Sequence, residues 1–248
     1  MTDSGVSLRG VSVTLGGLPV LQNLTLDVRA GEFVVLVGPS GCGKTTLLNV
    51  LSGAQPPSSG ELTISGDRRM VYQHDGLFPW LTVRQNIDLG LRGLADKAQR
   101  AREQAELLAL IGLDDFAAHY PHQLSGGMRQ RVELARALAG HSDILLMDEP
   151  FSALDYQTRL RMRRELGRLL SLRPRTVVFV THDIEEAAQL ADRILVLTER
   201  PARIQDELTI NLPRPRTLTH PQVIEAIQQV FDALGLHDSS QDAAALNF

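Results

Sequence analysis

Eight consecutive residues, Gly38-Pro39-Ser40-Gly41-Cys42-Gly43-Lys44-Thr45, fit the spacing G-x-x-x-x-G-K-[ST]. Its chemistry is phosphate binding. Glycines let the backbone turn tightly and aim successive N–H groups at phosphate oxygens, and the dipole of a following helix adds to the attraction for anions. In this pattern Lys44 reaches the β- and γ-phosphates, and the Thr45 hydroxyl ligates Mg²⁺. A second group is Ile144-Leu145-Leu146-Met147-Asp148-Glu149. Four apolar residues followed by two carboxylates suit a strand buried on both faces, with its acids at the carboxyl end where α/β sheets bind ligands. There Asp148 would hold Mg²⁺ through its water shell, and Glu149 would orient and activate an attacking water. A third group, Leu124-Ser125-Gly126-Gly127-Met128-Arg129-Gln130-Arg131, opens a helix with a serine N-cap and two glycines. Glycine within a helix costs about 1 kcal/mol, and a close approach of backbone to phosphate would explain its use here.

These groups need a frame. Phe33–Val37 reads as a buried strand before the phosphate loop, and Thr46 to Leu51 as the start of the helix after it. Further strand-like segments are Val6–Val13, Leu24–Val28, Glu61–Ile64, Met70–Gln73, Ile144–Met147, Thr176–Thr181, Arg193–Leu197 and Arg203–Leu208. From Thr82 to Ala139 the pattern is helical without strands. Thr82 and Gln85 form a capping box, and the apolar periodicity of Lys97 to Ile111 ends at Gly112. This predicts a helical subdomain over about 82–139 inserted into a sheet domain of residues 1–208. Residues 209–248 read as an extension with one helix, from Pro221 to Leu234, and a disordered tail from His237 to Phe248.

Composition narrows the function. With 43% hydrophobic residues in 248, the chain can bury a sizeable core. The net charge of −4 argues against general nucleic-acid affinity. The one dense basic run, Arg159, Arg161, Arg163 and Arg164, reads as a solvated helix face. The single cysteine, Cys42, permits no internal disulfide, and a reducing cytoplasm is the expected compartment. No stretch has the length of an apolar membrane span, and the first residues lack the pattern of a signal peptide.

With the three groups in this order, the chain resembles the ATPase subunits of ATP-binding cassette (ABC) transporters from about Val6 to about Leu208. Gln73 matches that family's Q-loop glutamine, Ser152-Ala153-Leu154-Asp155 its D-loop, and His182 its switch histidine. The resemblance implies an α/β fold: a RecA-like P-loop NTPase core, an antiparallel β subdomain and an inserted α-helical signature subdomain. It implies an ATP- and Mg²⁺-dependent ATPase that dimerises head to tail on ATP. Gly38, Pro39, Ser40, Gly41, Cys42, Gly43, Lys44, Thr45 and Thr46 of one chain would then face Ser125, Gly126 and Gly127 of the other across the nucleotide. By the same resemblance Lys44 and His182 contact the γ-phosphate, Gln73 senses Mg²⁺ and the attacking water, and Asp155 links the two sites.

Two positions depart from the family pattern. Leu15 stands where an aromatic usually stacks on adenine, so Leu15 and Val20 would offer the base only apolar contact. Met128 replaces a signature glutamine, and Gln130 is the nearby candidate to supply the missing polar contact to nucleotide. The segments Gln73 to Thr82, Asp148 to Asp155, Thr181 to Ala187 and Leu212 to Arg216 are similar to ATPases of nitrate, sulfonate and taurine importers. This implies membrane-spanning permease subunits and a solute-binding protein as partners, and a peripheral place on the cytoplasmic face of the membrane. In that setting Leu77, Phe78, Pro79, Trp80 and Leu81 would dock a membrane subunit, unless Trp80 is core. ATPases of other small-solute or vitamin importers share much of this pattern. Soluble ABC ATPases acting on nucleic acid or ribosomes typically carry coiled coils, second cassettes or basic extensions, and none appears here.

Overall fold

In a computed structural model, residues 4–72 and 76–236 are described. Gln73, expected to sense Mg²⁺ and water, and the tail expected from His237 onward lie outside the described residues.

Two sheets and a set of helices build the molecule. Strands β1 (Ser4–Leu15), β2 (Leu18–Arg29) and β4 (Ser59–Ile64) form an antiparallel sheet in the order β2-β1-β4. A six-stranded sheet has the order β5-β6-β7-β3-β8-β9, from β3 (Phe33–Val37), β5 (Arg68–Val71), β6 (Ile144–Asp148), β7 (Thr176–Val180), β8 (Arg193–Leu197) and β9 (Ile204–Thr209). All its pairings are parallel except β8 with β9.

The central strands β3, β6 and β7 are buried along their whole length. Their side chains alternate between two cores, as a period of two requires. Val34, Leu36, Ile144, Leu146, Val178 and Val180 pack with helix α1 (Lys44–Ser52) and the antiparallel sheet. Phe33, Val35, Val37, Leu145, Met147, Val177 and Phe179 pack on the other side, with the remaining helices. This explains the uninterrupted apolar runs: each strand must satisfy two cores.

Between β5 and β6 lie α2 (Val83–Gly90), α3 (Lys97–Ile111) and α4 (Gly126–Leu138), with two short 3₁₀ turns. The Thr82–Gln85 capping box forms at α2, and Gly112 ends α3 in the left-handed conformation at φ 62°. After β6 come α5 (Tyr156–Leu172), α6 (Ile184–Leu190) and α7 (Pro221–Ala233).

The basic run on α5 departs from its expected reading. Arg161 and Arg164 are exposed, but Arg163 is only 3% exposed. It faces α6, where it pairs with Glu186 at 3.0 Å and with Asp183. Helical spacing does distribute the four arginines around the helix, but packing of α6 turns one of those directions inward. Two later arginines are also structural. Arg214 donates to the Leu190 carbonyl at 2.8 Å, and Arg216 to the carbonyls of Ala188 at 3.2 Å and Ala191. Cations thus meet the orphan carbonyls at the end of α6. Burial lowers the Arg216 pKa to about 10.

Candidate functional site

The phosphate loop leaves β3 and enters α1. Gly38, Gly41 and Gly43 have φ of 156°, 73° and 127°, values that disfavour any side chain. Gly43 is also crowded: a Cβ there would lie 2.8 Å from Leu21 Cδ2 and 3.0 Å from Val20 Cγ1. Val20 is therefore buried beneath the loop, while Leu15 is 43% exposed at the β1–β2 turn. Of the two residues expected to meet the base, only Leu15 is open to a ligand in this arrangement. Lys44 folds back over the loop, its Nζ donating to the carbonyls of Gly38 at 2.7 Å and Pro39 at 2.8 Å. Buried Cys42 places its sulfur 3.9 Å from the same amine. From the β8–β9 loop, Arg200 donates to the Gly41 carbonyl at 2.6 Å, a contact that no sequence signal indicated.

Asp148 ends β6 and is buried. Glu149 follows at φ 46°, a conformation rare for a residue with a side chain. Its N–H donates to the Val180 carbonyl at 3.0 Å, so it is tied to the end of β7. There His182 lies with Nδ1 3.1 Å from Glu149 Oε2. Because β7 sits between β6 and β3, the phosphate loop, the acidic pair and His182 leave the carboxyl ends of three neighbouring strands. That is the crevice in which α/β sheets bind ligands.

Residues flanking His182 are held by a buried polar cluster. Thr181 Oγ1 donates to Glu186 Oε2 at 2.6 Å, and the Asp183 N–H donates to Thr181 Oγ1 at 3.0 Å. Burial raises the Glu186 carboxyl above its usual value, although Arg163 and Thr181 pull it down. Arg159 joins this cluster to the D-loop, donating to the Leu154 carbonyl at 3.1 Å and lying 3.5 Å from Asp183 Oδ2. Asp155 caps α5 by accepting from Thr158 N–H at 3.0 Å, and hydrogen bonding by Thr158 lowers its pKa.

Ser125 caps α4 as expected, accepting from Met128 N–H at 3.2 Å. The two glycines after it differ. Around Gly126 the space is open, with the nearest atom to a Cβ being Arg129 Nη2 at 4.0 Å. Gly127 instead packs on the chain's own D-loop, where a Cβ would lie 3.0 Å from the Ala153 carbonyl oxygen. Its glycine is explained by internal packing, without appeal to phosphate. Gln130 also turns inward: it is 5% exposed and bonded to residues 149–153. It is not placed to replace the missing contact at Met128.

Among the described residues, no cluster of three or more His, Cys, Asp or Glu could hold a metal alone. The crevice offers the exposed Thr45 at the start of α1 and the Asp148 carboxylate. These oxygen donors suit Mg²⁺, which commonly completes its octahedron with phosphate and water.

The family model for "ABC transporter" matches residues 21–152, a span that includes the phosphate loop, the signature segment and Glu149. This chain belongs to the ABC transporter family. An ABC relative, the nitrate import ATP-binding protein NrtD of Synechocystis, is 47% identical over 80% of this chain and 78% of its own length. The aliphatic sulfonates import ATP-binding protein SsuB 1 of Agrobacterium fabrum is 46% identical over 92% of this chain and 83% of its own. Among solved structures, the dimeric post-hydrolysis state of the ATP-binding cassette MJ0796 bound to ADP and Pi superposes with a TM-score of 0.75. It is 33% identical, covering 84% of this chain and 99% of the other. The fold is thus that of an ABC cassette, and the activity of the family is ATP hydrolysis.

Proposed function

We propose that this ABC ATPase powers import of a small solute, nitrate, sulfonate or taurine-like, through separate membrane-spanning permease subunits. A solute-binding protein would select the solute. The names of the nitrate and sulfonate relatives support that class. Among the described residues no helix is long and apolar enough to cross a membrane, and the chain would act at the cytoplasmic face of permeases that do.

The observation that carries the catalytic reading is Glu149 beside His182, 3.1 Å apart in the crevice shared with the phosphate loop. Amides of Gly38 to Thr46 bind the phosphates. Lys44 exchanges its loop carbonyls for β- and γ-phosphate oxygens. Thr45 and Asp148 would hold Mg²⁺, which would neutralise phosphate charge when bound. Glu149 takes the proton of the attacking water, and His182, within hydrogen-bond reach of that carboxylate, steadies it and the γ-phosphate. In an ATP-bound dimer Ser125, Gly126 and Gly127 of the opposing chain close the site, the head of α4 facing the γ-phosphate.

The test is Glu149→Gln. ATP binding should persist, an ATP-bound dimer should accumulate, and turnover should fall by roughly 10²–10⁴-fold. Near-native turnover in the purified variant would refute the assignment. Copurification with permease subunits, rather than with nucleic acid or ribosomes, tests the transport reading.

A further inference from the structure

Gln130 is a buried side chain whose bonds link the signature helix to the catalytic strand end and the D-loop. It lies on α4, one turn after Ser125, and is 5% exposed. Its Oε1 accepts from the Ala153 N–H at 2.9 Å. That donor fixes the amide's orientation, because only an oxygen can face an N–H. Nε2 therefore faces the other way, donating to the Glu149 carbonyl at 3.0 Å and to Ser152 Oγ at 3.3 Å. The Ser152 hydroxyl donates to the same Glu149 carbonyl at 3.0 Å. Glu149 needs such support, since at φ 46° a side-chain-bearing residue persists only where its surroundings over-determine it.

We infer that Gln130 is a positioning residue that couples the signature helix to Glu149 and the D-loop of the same chain. This rests on the catalytic reading of Glu149. Its consequence is geometric. Ser125, Gly126 and Gly127 at the head of α4 close on the nucleotide of the opposing chain, whereas Glu149 serves the chain's own nucleotide. A movement of α4 on binding one nucleotide is carried by a rigid, fully bonded amide to the carbonyl of the base acting on the other. Packing of Gly127 on Ala153 at the same joint leaves α4 and the D-loop little room to move independently. Gln130 thereby makes hydrolysis at one site depend on occupancy of the other.

The test compares Gln130→Glu, which keeps the acceptor for Ala153 but loses both donors, with Gln130→Met, which keeps only the volume. Ser152→Ala removes the other side-chain support from an exposed position. Each is measured for thermal unfolding, ATP affinity, kcat and the Hill coefficient for ATP. The Gln130 variants should bind ATP within about threefold of wild type while kcat falls about 10–100-fold. Their Hill coefficient should drop towards unity. Ser152→Ala should show the same pattern more weakly, and the Gln130→Glu/Ser152→Ala pair should be less than additive because both act on one carbonyl. A folded Gln130→Glu with native kcat and cooperativity overturns the inference. So does a loss confined to KM, which would make Gln130 a ground-state binding residue. If neither Gln130 variant folds, Ser152→Ala decides: retained cooperativity and kcat count against the coupling. Failure of the catalytic reading itself is distinguished by Glu149→Gln, whose near-native turnover would remove the base that Gln130 is argued to place.

Discussion

Gly127 rests directly on Ala153: a Cβ added at position 127 would approach the Ala153 carbonyl oxygen to 3.0 Å and Leu154 Cδ2 to 3.3 Å. Backbone of the D-loop cannot give way as a flexible side chain can. Gly127→Ala is expected to destabilise the protein by about 1–3 kcal/mol through overpacking and to reduce ATPase activity by displacing residues 153–155. Gly126→Ala, in open space, should leave the melting temperature within a few degrees of wild type. Equal melting behaviour for the two variants would refute the distinction.

Trp80 is 68% exposed and packs on Phe78, their ring centroids 5.4 Å apart. It is therefore not a core residue. The loop carrying both rings is anchored by fully buried Asn86, which bonds the backbone of Phe78, Leu81 and Thr82. A rigidly held, exposed aromatic pair has the character of a binding anchor. Trp80→Ala should leave stability within about 0.5 kcal/mol while releasing the ATPase from permease-containing membranes. Undiminished cosedimentation with those membranes would count against the docking role.

Leu15 is exposed at the turn where a base-stacking aromatic is usual in the family, and Val20 is buried under Gly43. Neither offers a flat π-face. Stacking of an aromatic on a base contributes about 1–3 kcal/mol, and without it most affinity should come from the phosphates, which ATP and GTP share. Binding measurements should show weak discrimination between the two. Leu15→Tyr should tighten ATP by about tenfold or less. A strong native preference for ATP would mean that another residue reads adenine.

Glu186 should leave a pH signature on stability. Burial raises its folded-state pKa above the usual 4.5, so the folded state holds this proton more tightly than the unfolded one. The stabilising contribution is fully present below pH 4.5 and is lost as pH rises through the folded value. In urea titrations of wild type and Glu186→Gln, the stability of wild type relative to the variant should fall as pH rises above about 4.5. A difference that rises with pH would show that Arg163 outweighs desolvation.

The phosphate loop, the acidic pair and the strands around them were legible in the sequence because each is a local pattern with a local physical cause. Glycines at fixed spacing set the loop. Apolar runs set β3, β6 and β7, and Gly112 and the Thr82–Gln85 box mark helix ends where they occur. Only the tertiary structure decided which of several equivalent residues face inward. Arg159, Arg161, Arg163 and Arg164 look alike as a string. Arg163 is buried because α6 brings Glu186 and Asp183 against that one direction of α5. Gly126 and Gly127 are likewise adjacent and chemically identical, but the D-loop lies against the second alone. Gln130 reads as a polar residue on a signature helix until β6 places Glu149 and the D-loop against it. Periodicity fixes the direction of a side chain about its own helix axis. The partner in that direction arrives from 19 or more residues away, and only chain packing supplies it.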